Sequence, residues 1–180
     1  PRLFDFAFRK RDKRSAAALL RPDATEPVLH VSDKYPAARG AIAPVGVIAP
    51  HPRIPNQVLV ADLAADPAPL LELDAETLAE RLFTAAADRD RSQSPVPVKA
   101  VKLNAAPVVA PASTLSPTAA RRLGIDLEAA RATLARLRAA AGLVERVQAA
   151  FERPPAAGED ADTALYDGFV GDDDRARMDA

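Results

Sequence analysis

Short apolar runs bounded by turn-forming residues fill positions 27–63, and they constrain the fold more than any other feature of the sequence. The runs PVLHVS, VGVIAP and QVLVADL are separated by YPAARG and HPRIPN, which carry proline, glycine and asparagine. Valine-rich runs of this length between such residues are typical of β-strands joined by tight turns. We therefore predict several short strands in this part of the chain.

The composition indicates an aliphatic core. Aromatic residues make up only 4% of the chain and tryptophan is absent, although hydrophobic residues reach 48%. Leucine, valine and alanine must therefore build the core. The 17 prolines and seven glycines among 180 residues stay well below the roughly 25–30% that marks low-complexity chains. They indicate many short elements joined by stiff turns.

Helical patterns flank the strands on the N-terminal side of the chain. Residues 1–20 have the pattern of a basic amphipathic helix, with a possible break near Ser15. Residues 67–85 return to helical spacing, and Asp74 is a good N-cap residue within them. We expect helical structure in both segments.

The C-terminal half repeats the mixture of strands and helices. Residues 96–110 are predicted to form two strands, and we expect Lys99 and Lys102 to share the outer face of one of them. Helix signals follow: Ser116 with Pro117 at a start, Gly124 at an end, and Asp126 as the cap of a long helix to about Ala141. Short strands with peripheral helices indicate an α+β fold, a barrel-like domain with a helical annex.

Charge and cysteine content limit the function classes. The net charge of −1 argues against a nucleic-acid binder for the chain as a whole. However, residues 1–14 are basic and residues 159–179 are acidic. The absence of cysteine excludes disulfides and thiolate metal sites. No apolar run reaches the ~18 residues of a membrane span, and no signal peptide is evident, so we expect a cytoplasmic protein without a membrane partner.

Candidates for catalysis are few. The chain has two histidines: His30 lies in a strand-like run and suits a half-buried structural role, whereas His51 lies in a proline-rich loop and is expected to be exposed. Neither has a triad-like neighbour, and there is no glycine-rich phosphate loop and no HExxH motif. The acidic residues at 172–174 are typical of a solvated tail. We predict no catalytic residue, no metal and no cofactor in this segment.

Five basic residues are candidates for contacts with DNA phosphates. A solvated helix or strand face explains each of them equally well, apart from Arg39, whose neighbour Gly40 allows a tight turn in which the guanidinium could grip a phosphate. Phe83 could stack on a base, but packing in the core beside Leu82 is the simpler interpretation. The five candidates are Arg9, Arg11, Arg39, Lys99 and Lys102.

Six colinear segments of the sequence carry a recognisable pattern: PRLFDFAF (1–8), PVLHVS (27–32), residues 55–85, VPVKAVKLNAAPVVA (96–110), TLSPTAARRLGI (114–125) and LYDGFVGDDDRARM (165–178). The most specific part is PLLELDAETLAERL followed by PVKAVKLNAAPVV. Together these segments resemble exonuclease I.

This resemblance implies a fold and a role. Exonuclease I has a nuclease domain with two Mg²⁺ ions, an SH3-like domain and a helical domain, which together encircle single-stranded DNA. The resemblance implies that 1–20 is a connecting helix, 21–153 an SH3-like β-barrel with helices, and 154–180 a linker and the start of the helical domain. The chain begins with Pro1, so we expect it to be part of a longer, monomeric 3′→5′ exonuclease that releases 5′-mononucleotides. Its own work would be to clamp the strand for processive degradation.

The resemblance also implies a protein partner. The family docks the acidic, phenylalanine-ended tail of the single-stranded-DNA-binding protein in a basic pocket, and the matching positions here are Arg138 and Phe6. At three other positions, Ser116, Pro111 and Glu26 replace an arginine, a glutamine and a lysine, so tail binding is expected to be weaker unless Arg121 or Arg122 compensates. The alternative function is a stand-alone protein-interaction module without a DNA role.

Overall fold

The computed structural model of the chain describes residues 13–84, 90 and 92–152. Three single-turn 3₁₀ helices connect the longer elements, at Ala37–Arg39, Leu103–Ala105 and Ala112–Thr114. The strands are β1 (Val28–Val31), β2 (Ile42–Pro50), β3 (Gln57–Asp62), β4 (Val98–Lys102) and β5 (Val109–Pro111). The α-helices are α1 (Lys13–Leu19), α2 (Ala68–Glu72), α3 (Ala75–Phe83), α4 (Pro117–Leu123), α5 (Leu127–Ala139) and α6 (Leu143–Glu152).

The five strands form one antiparallel sheet in the order β4-β3-β2-β1-β5. Val28 of β1 pairs with Val45 of β2, and Val60 of β3 pairs with Lys99 of β4. A register shift between Val47 and Ala49 interrupts the pairing of β2 with β3, and such bulges increase the local twist of a sheet. The sheet with its surrounding helices confirms the predicted α+β, SH3-like fold.

Both faces of the central strands are buried. In β3, Val58 and Val60 belong to one apolar cluster, and Leu59 and Ala61 to another, as expected from the period of two in a strand. The first cluster is covered by Ala16 of α1 together with Leu20 and Tyr35, and the second by helices α2, α3, α5 and α6. This double cover explains why the strand sequences are almost continuously apolar.

Local signals define most helix ends. The side chain of Asp74 accepts a hydrogen bond from the Thr77 amide at 2.8 Å, and Ser116 caps α4 in the same way. Gly124 ends α4 with a left-handed φ of 62°, a conformation that glycine adopts without strain. The caps predicted at Asp74, Ser116 and Asp126 are confirmed.

The helical segment predicted over 67–85 contains two helices, α2 and α3, and the second begins at the predicted N-cap Asp74. Leu73 between them is extended, with φ −83° and ψ 147°, since Asp74 starts a new helix as its N-cap. The long helix ends at Ala139 rather than Ala141, and α6 begins just after Gly142, whose φ is 69°.

Only part of the proposed connecting helix and none of the proposed helical domain fall within the described residues. Lys13–Leu19 is helical, whereas residues 1–12 and 154–180 lie outside the described ranges. The domain boundaries therefore stay predictions. In the described parts of the chain, no helix is both long and apolar enough to cross a membrane.

Candidate functional site

Lys99 has a defined position at the edge of the sheet. Its Nζ donates a hydrogen bond to Ser32 Oγ at 2.7 Å and lies 5.1 Å from the centroid of the Tyr35 ring. The side chain is half-buried, and this burial lowers the pKa of Lys99, an effect that the nearby Asp33 partly offsets. The ammonium group is thus held by a hydroxyl and an aromatic face rather than by a carboxylate.

Lys102 does not share this position. The prediction that Lys99 and Lys102 lie on one strand face is wrong, because an interval of three residues places side chains on opposite faces. Val101, which lies on the Lys99 face, belongs to the cluster under α1, whereas Val98 belongs to the cluster under the other helices. Lys102 itself is exposed. These two lysines therefore cannot line a single basic strand face.

Arg39 is paired within the fold. Its Nη1 and Nη2 donate to the two carboxylate oxygens of Asp62 at 3.1 and 2.7 Å, and the two side chains are only 16% and 11% exposed. Gly40 adopts a left-handed φ of 63° beside it, which agrees with the predicted tight turn. A phosphate contact by Arg39 stays a prediction, and it would have to use the guanidinium edge that Asp62 leaves open.

Arg138 connects the end of α5 to the segment before β1. Its Nη2 donates to the carbonyl oxygen of Pro22 at 3.0 Å and also to that of Ala24. The side chain is otherwise exposed. Its predicted companion Phe6, and the DNA-contact candidates Arg9 and Arg11, lie outside the described residues.

His30 has the structural role that the sequence favours. It is buried, and a hydrogen bond of 2.8 Å joins its Nδ1 to the Tyr35 hydroxyl. Burial and, to a smaller extent, the charge of Lys99 lower the pKa of His30 to about 4. The imidazole is therefore neutral near pH 7 and forms part of the same cluster as Tyr35 and Lys99.

His51 is not the exposed loop residue that we predicted. It is half-buried, and its Nδ1 accepts hydrogen bonds from the amides of Arg53 and Ile54 at 3.1 and 3.2 Å. Its ring stands edge-to-face against Phe151 of α6, with centroids 5.6 Å apart. The Phe83 ring also stands edge-to-face against Phe151, with centroids 5.4 Å apart, and Phe83 packs against the core cluster as predicted.

Several contacting residues were missed by sequence reasoning. Ser32 and Tyr35 were not singled out, because Ser32 is 67 positions from Lys99. Arg131 was missed as well: it donates to Glu26 at 2.8 Å and to Glu128 at 2.5 Å. The described residues contain no group of three or more histidine, cysteine or acidic side chains that could hold a metal.

A cleft of about 570 Å³ lies between α4 and α5. Apolar side chains line most of it, and the basic Arg121 and the acidic Asp126 and Glu128 also line it. This arrangement can accept an apolar side chain beside charges of both signs. The apolar lining residues are Leu115, Pro117, Ala120, Ile125 and Leu127.

Comparison with known proteins assigns this fold to a family. The sequence-family model described as the exonuclease I SH3-like domain matches residues 11–153 of this chain. Exodeoxyribonuclease I of Escherichia coli (strain K12) is 43% identical over 180 residues, which is 99% of this chain and 38% of that protein. The chain therefore spans well under half the length of this relative.

Solved structures agree with the family match. Escherichia coli exonuclease I in complex with a 5cy-dT13 oligonucleotide superposes with a TM-score of 0.80 at 42% identity, over 99% of this chain and 39% of that one. A structure of SSB/exonuclease I in complex with the inhibitor CFAM superposes with a TM-score of 0.77 at 41% identity, over 99% of this chain and 37% of that one. The chain belongs to the exonuclease I family, and its residues 11–153 match the family's SH3-like domain.

Proposed function

We propose that this chain is the non-catalytic SH3-like part of a single-strand-specific 3′→5′ exodeoxyribonuclease, and that it holds single-stranded DNA for processive degradation. The observation that carries the proposal is the match to exonuclease I along 99% of the chain. One of the matching structures contains a bound oligonucleotide, which supports a single-stranded ligand for the family as a whole.

The chain would contribute binding rather than chemistry. Both histidines make internal contacts, since His30 bonds to Tyr35 and His51 to the amides of its own turn. The cations at Lys99 and Lys102 suit sequence-independent phosphate contacts. Once the nuclease site holds the 3′ end, a second contact on the same strand has a high effective concentration, so weak contacts suffice for processivity.

Hydrolysis would belong to a nuclease domain elsewhere in the protein, with Mg²⁺ as its metal. Two bound Mg²⁺ ions would activate water and stabilise the leaving oxygen there. The described residues of this chain offer no comparable ligand set. Their role in the reaction would be to keep the strand from leaving between successive cuts.

We also propose that the chain docks the acidic tail of the single-stranded-DNA-binding protein. The cleft between α4 and α5, with apolar Leu115 and Ile125 and the cation of Arg121, suits a phenylalanine followed by a carboxylate. Arg138, about 15 Å further along α5, would contact a carboxylate elsewhere in the tail. The acidic Glu26, which pairs with Arg131, makes this surface less positive than the family pattern implies, so we expect modest affinity.

Salt dependence tests the DNA role. Fluorescence anisotropy with labelled oligo-dT should give affinity that falls steeply with salt, with a log–log slope of about −0.7 per phosphate neutralised. Arg136→Ala removes an exposed charge to which we assign no role. It therefore measures how much affinity is lost simply because the chain has one positive charge fewer. Absence of binding at low salt and high micromolar protein would remove the clamp role from this chain.

A further inference from the structure

Lys99 lies in a small, connected polar cluster that the fold builds from two separate segments, residues 30–35 and strand β4. Ser32 Oγ accepts from Lys99 Nζ at 2.7 Å and donates to Asp33 at 3.1 Å. Tyr35 presents its ring face to the same ammonium at 5.1 Å, a distance typical of a cation–π contact. Lysine side chains are normally flexible, so two contacts on one ammonium fix its position to an unusual degree.

Tyr35 is itself held in place by buried neighbours. It is only 8% exposed, and its hydroxyl bonds to the buried His30 at 2.8 Å. The rings of His30 and Tyr35 meet edge-to-face at 5.5 Å. The aromatic face against Lys99 is therefore rigid, and it is anchored in the apolar cluster that α1 covers.

The charge of Lys99 is available to an anion. Within residues 13–84, 90 and 92–152, no carboxylate forms an ion pair with it, whereas Arg39 is paired with Asp62. Asp33 forms no direct ion pair with Lys99: it is linked to the ammonium by the Ser32 hydroxyl and attracts its charge from a distance. A half-buried, oriented ammonium without a direct counter-ion favours binding of a phosphate. The lysine side chain is already ordered in the free protein, so binding does not have to restrict its motion further.

We propose that Tyr35 and Ser32 are positioning residues that hold the Lys99 ammonium as a preorganised phosphate-binding group for single-stranded DNA. This inference rests on the proposed function and adds the residues that set the strength of one contact. Exposed Lys102, on the opposite face of β4, lacks such support and serves as the contrasting cation.

Double-mutant cycles with oligo-dT test the inference on the full chain. Lys99→Ala should weaken binding roughly fivefold and reduce the size of the salt slope by about 0.7, the value for one phosphate contact. Tyr35→Leu should weaken binding at least about twofold and add little further loss to Lys99→Ala, because both act on one group. The effects of Tyr35→Leu and Lys102→Ala should instead be additive.

Conservative variants separate positioning from folding. Tyr35→Phe keeps the ring face and loses only the bond to His30, so it should retain the affinity that Tyr35→Leu loses. Ser32→Ala provides a second, milder variant if Tyr35→Leu does not fold, which thermal melting will establish. In NMR spectra, the ε-methylene protons of Lys99 should be shifted upfield by the ring in the wild type and in Tyr35→Phe. In Tyr35→Leu this shift should be lost.

The outcomes distinguish this inference from the function on which it rests. Wild-type chain that does not bind oligo-dT at low salt overturns both. Wild-type binding that Lys99→Ala leaves unchanged overturns only the phosphate-binding role of Lys99. A folded Tyr35→Leu or Ser32→Ala variant that binds like the wild type, or whose loss simply adds to that of Lys99→Ala, overturns the positioning role.

Discussion

Arg39 and Asp62 form a two-pronged ion pair that joins the turn after β1 to the end of β3. The two hydrogen bonds measure 3.1 and 2.7 Å, and Asp62 Oδ1 also accepts from the Ala64 amide at 3.0 Å. Both side chains are largely shielded from water, so each charge is stabilised by its partner rather than by solvent. The pair therefore fixes the loop that carries Tyr35 against the sheet.

Removing one partner of this pair should destabilise the fold. Asp62→Ala leaves a largely buried guanidinium without its carboxylate, and we expect a loss of about 2–4 kcal/mol in the free energy of unfolding. Arg39→Ala should cost less than Asp62→Ala, since Asp62 also bonds to the Ala64 amide. Urea unfolding of both single variants and the double variant measures the coupling, and additive losses would contradict a mutually dependent pair.

Acid should destabilise the protein through His30. Folding lowers the pKa of this histidine from its usual 6.5 to about 4, so the unfolded chain takes up a proton before the folded one. The contribution of His30 to the free energy of unfolding should be fully present above about pH 6.5. It should decrease as the pH falls towards 4, by on the order of 3 kcal/mol in total. Denaturant midpoints measured over this range should fall much less in His30→Gln, although His51, whose pKa burial also lowers, adds a smaller part.

Gly46 should not tolerate a side chain. A Cβ at this position would approach Leu134 Cδ1 to 2.5 Å, and Leu134 is almost fully buried. Gly46→Ala should therefore reduce stability by about 1–3 kcal/mol through overpacking. Gly124→Ala is the matched control, because nothing lies within 4 Å of its added Cβ and only the positive φ of 62° opposes the change. A larger loss for Gly124→Ala than for Gly46→Ala would contradict the packing argument.

Arg138→Ala should weaken binding of an acidic, phenylalanine-ended peptide roughly tenfold, because a charge-assisted contact is lost. Calorimetry with the peptide measures this directly. Arg136→Ala, two positions earlier on the exposed side of α5, controls for the general loss of positive charge. Arg138 also donates to the carbonyls of Pro22 and Ala24, so melting temperatures are needed to separate binding from stability. Equal affinities of the two variants would remove Arg138 from the docking surface.

Local rules predicted the helix caps well. Asp74, Ser116 and Asp126 bond to amides two or three residues away, so the sequence around each contains both partners. The N-cap predicted at Asp74 also accounts for the division of the helical segment 67–85 into two helices. The prediction that Lys99 and Lys102 share a strand face was wrong for a reason visible in the sequence, since counting the residues between them already places them on opposite faces.

The site could not be derived from spacing. Lys99 meets Ser32 across 67 positions, and Arg39 meets Asp62 across 23, so these contacts depend on the order of strands in the sheet. His51 was misread for the same reason: its burial comes from Phe151, which belongs to a helix about 100 positions later along the chain. The resemblance to exonuclease I supplied the fold and the general role, but not these contacts.

The double cover of the sheet has a consequence for how the protein can vary. Sliding β3 by one residue would exchange Val58 and Val60 with Leu59 and Ala61, all of which are apolar, so polarity does little to reject the wrong alignment. The fit of side-chain sizes must exclude the shifted alignment instead. Gly46, which pairs with Ala61, is an example, because Leu134 leaves no room for a side chain there. In this sheet, related sequences should therefore preserve the sizes of side chains more strictly than their hydrophobicity.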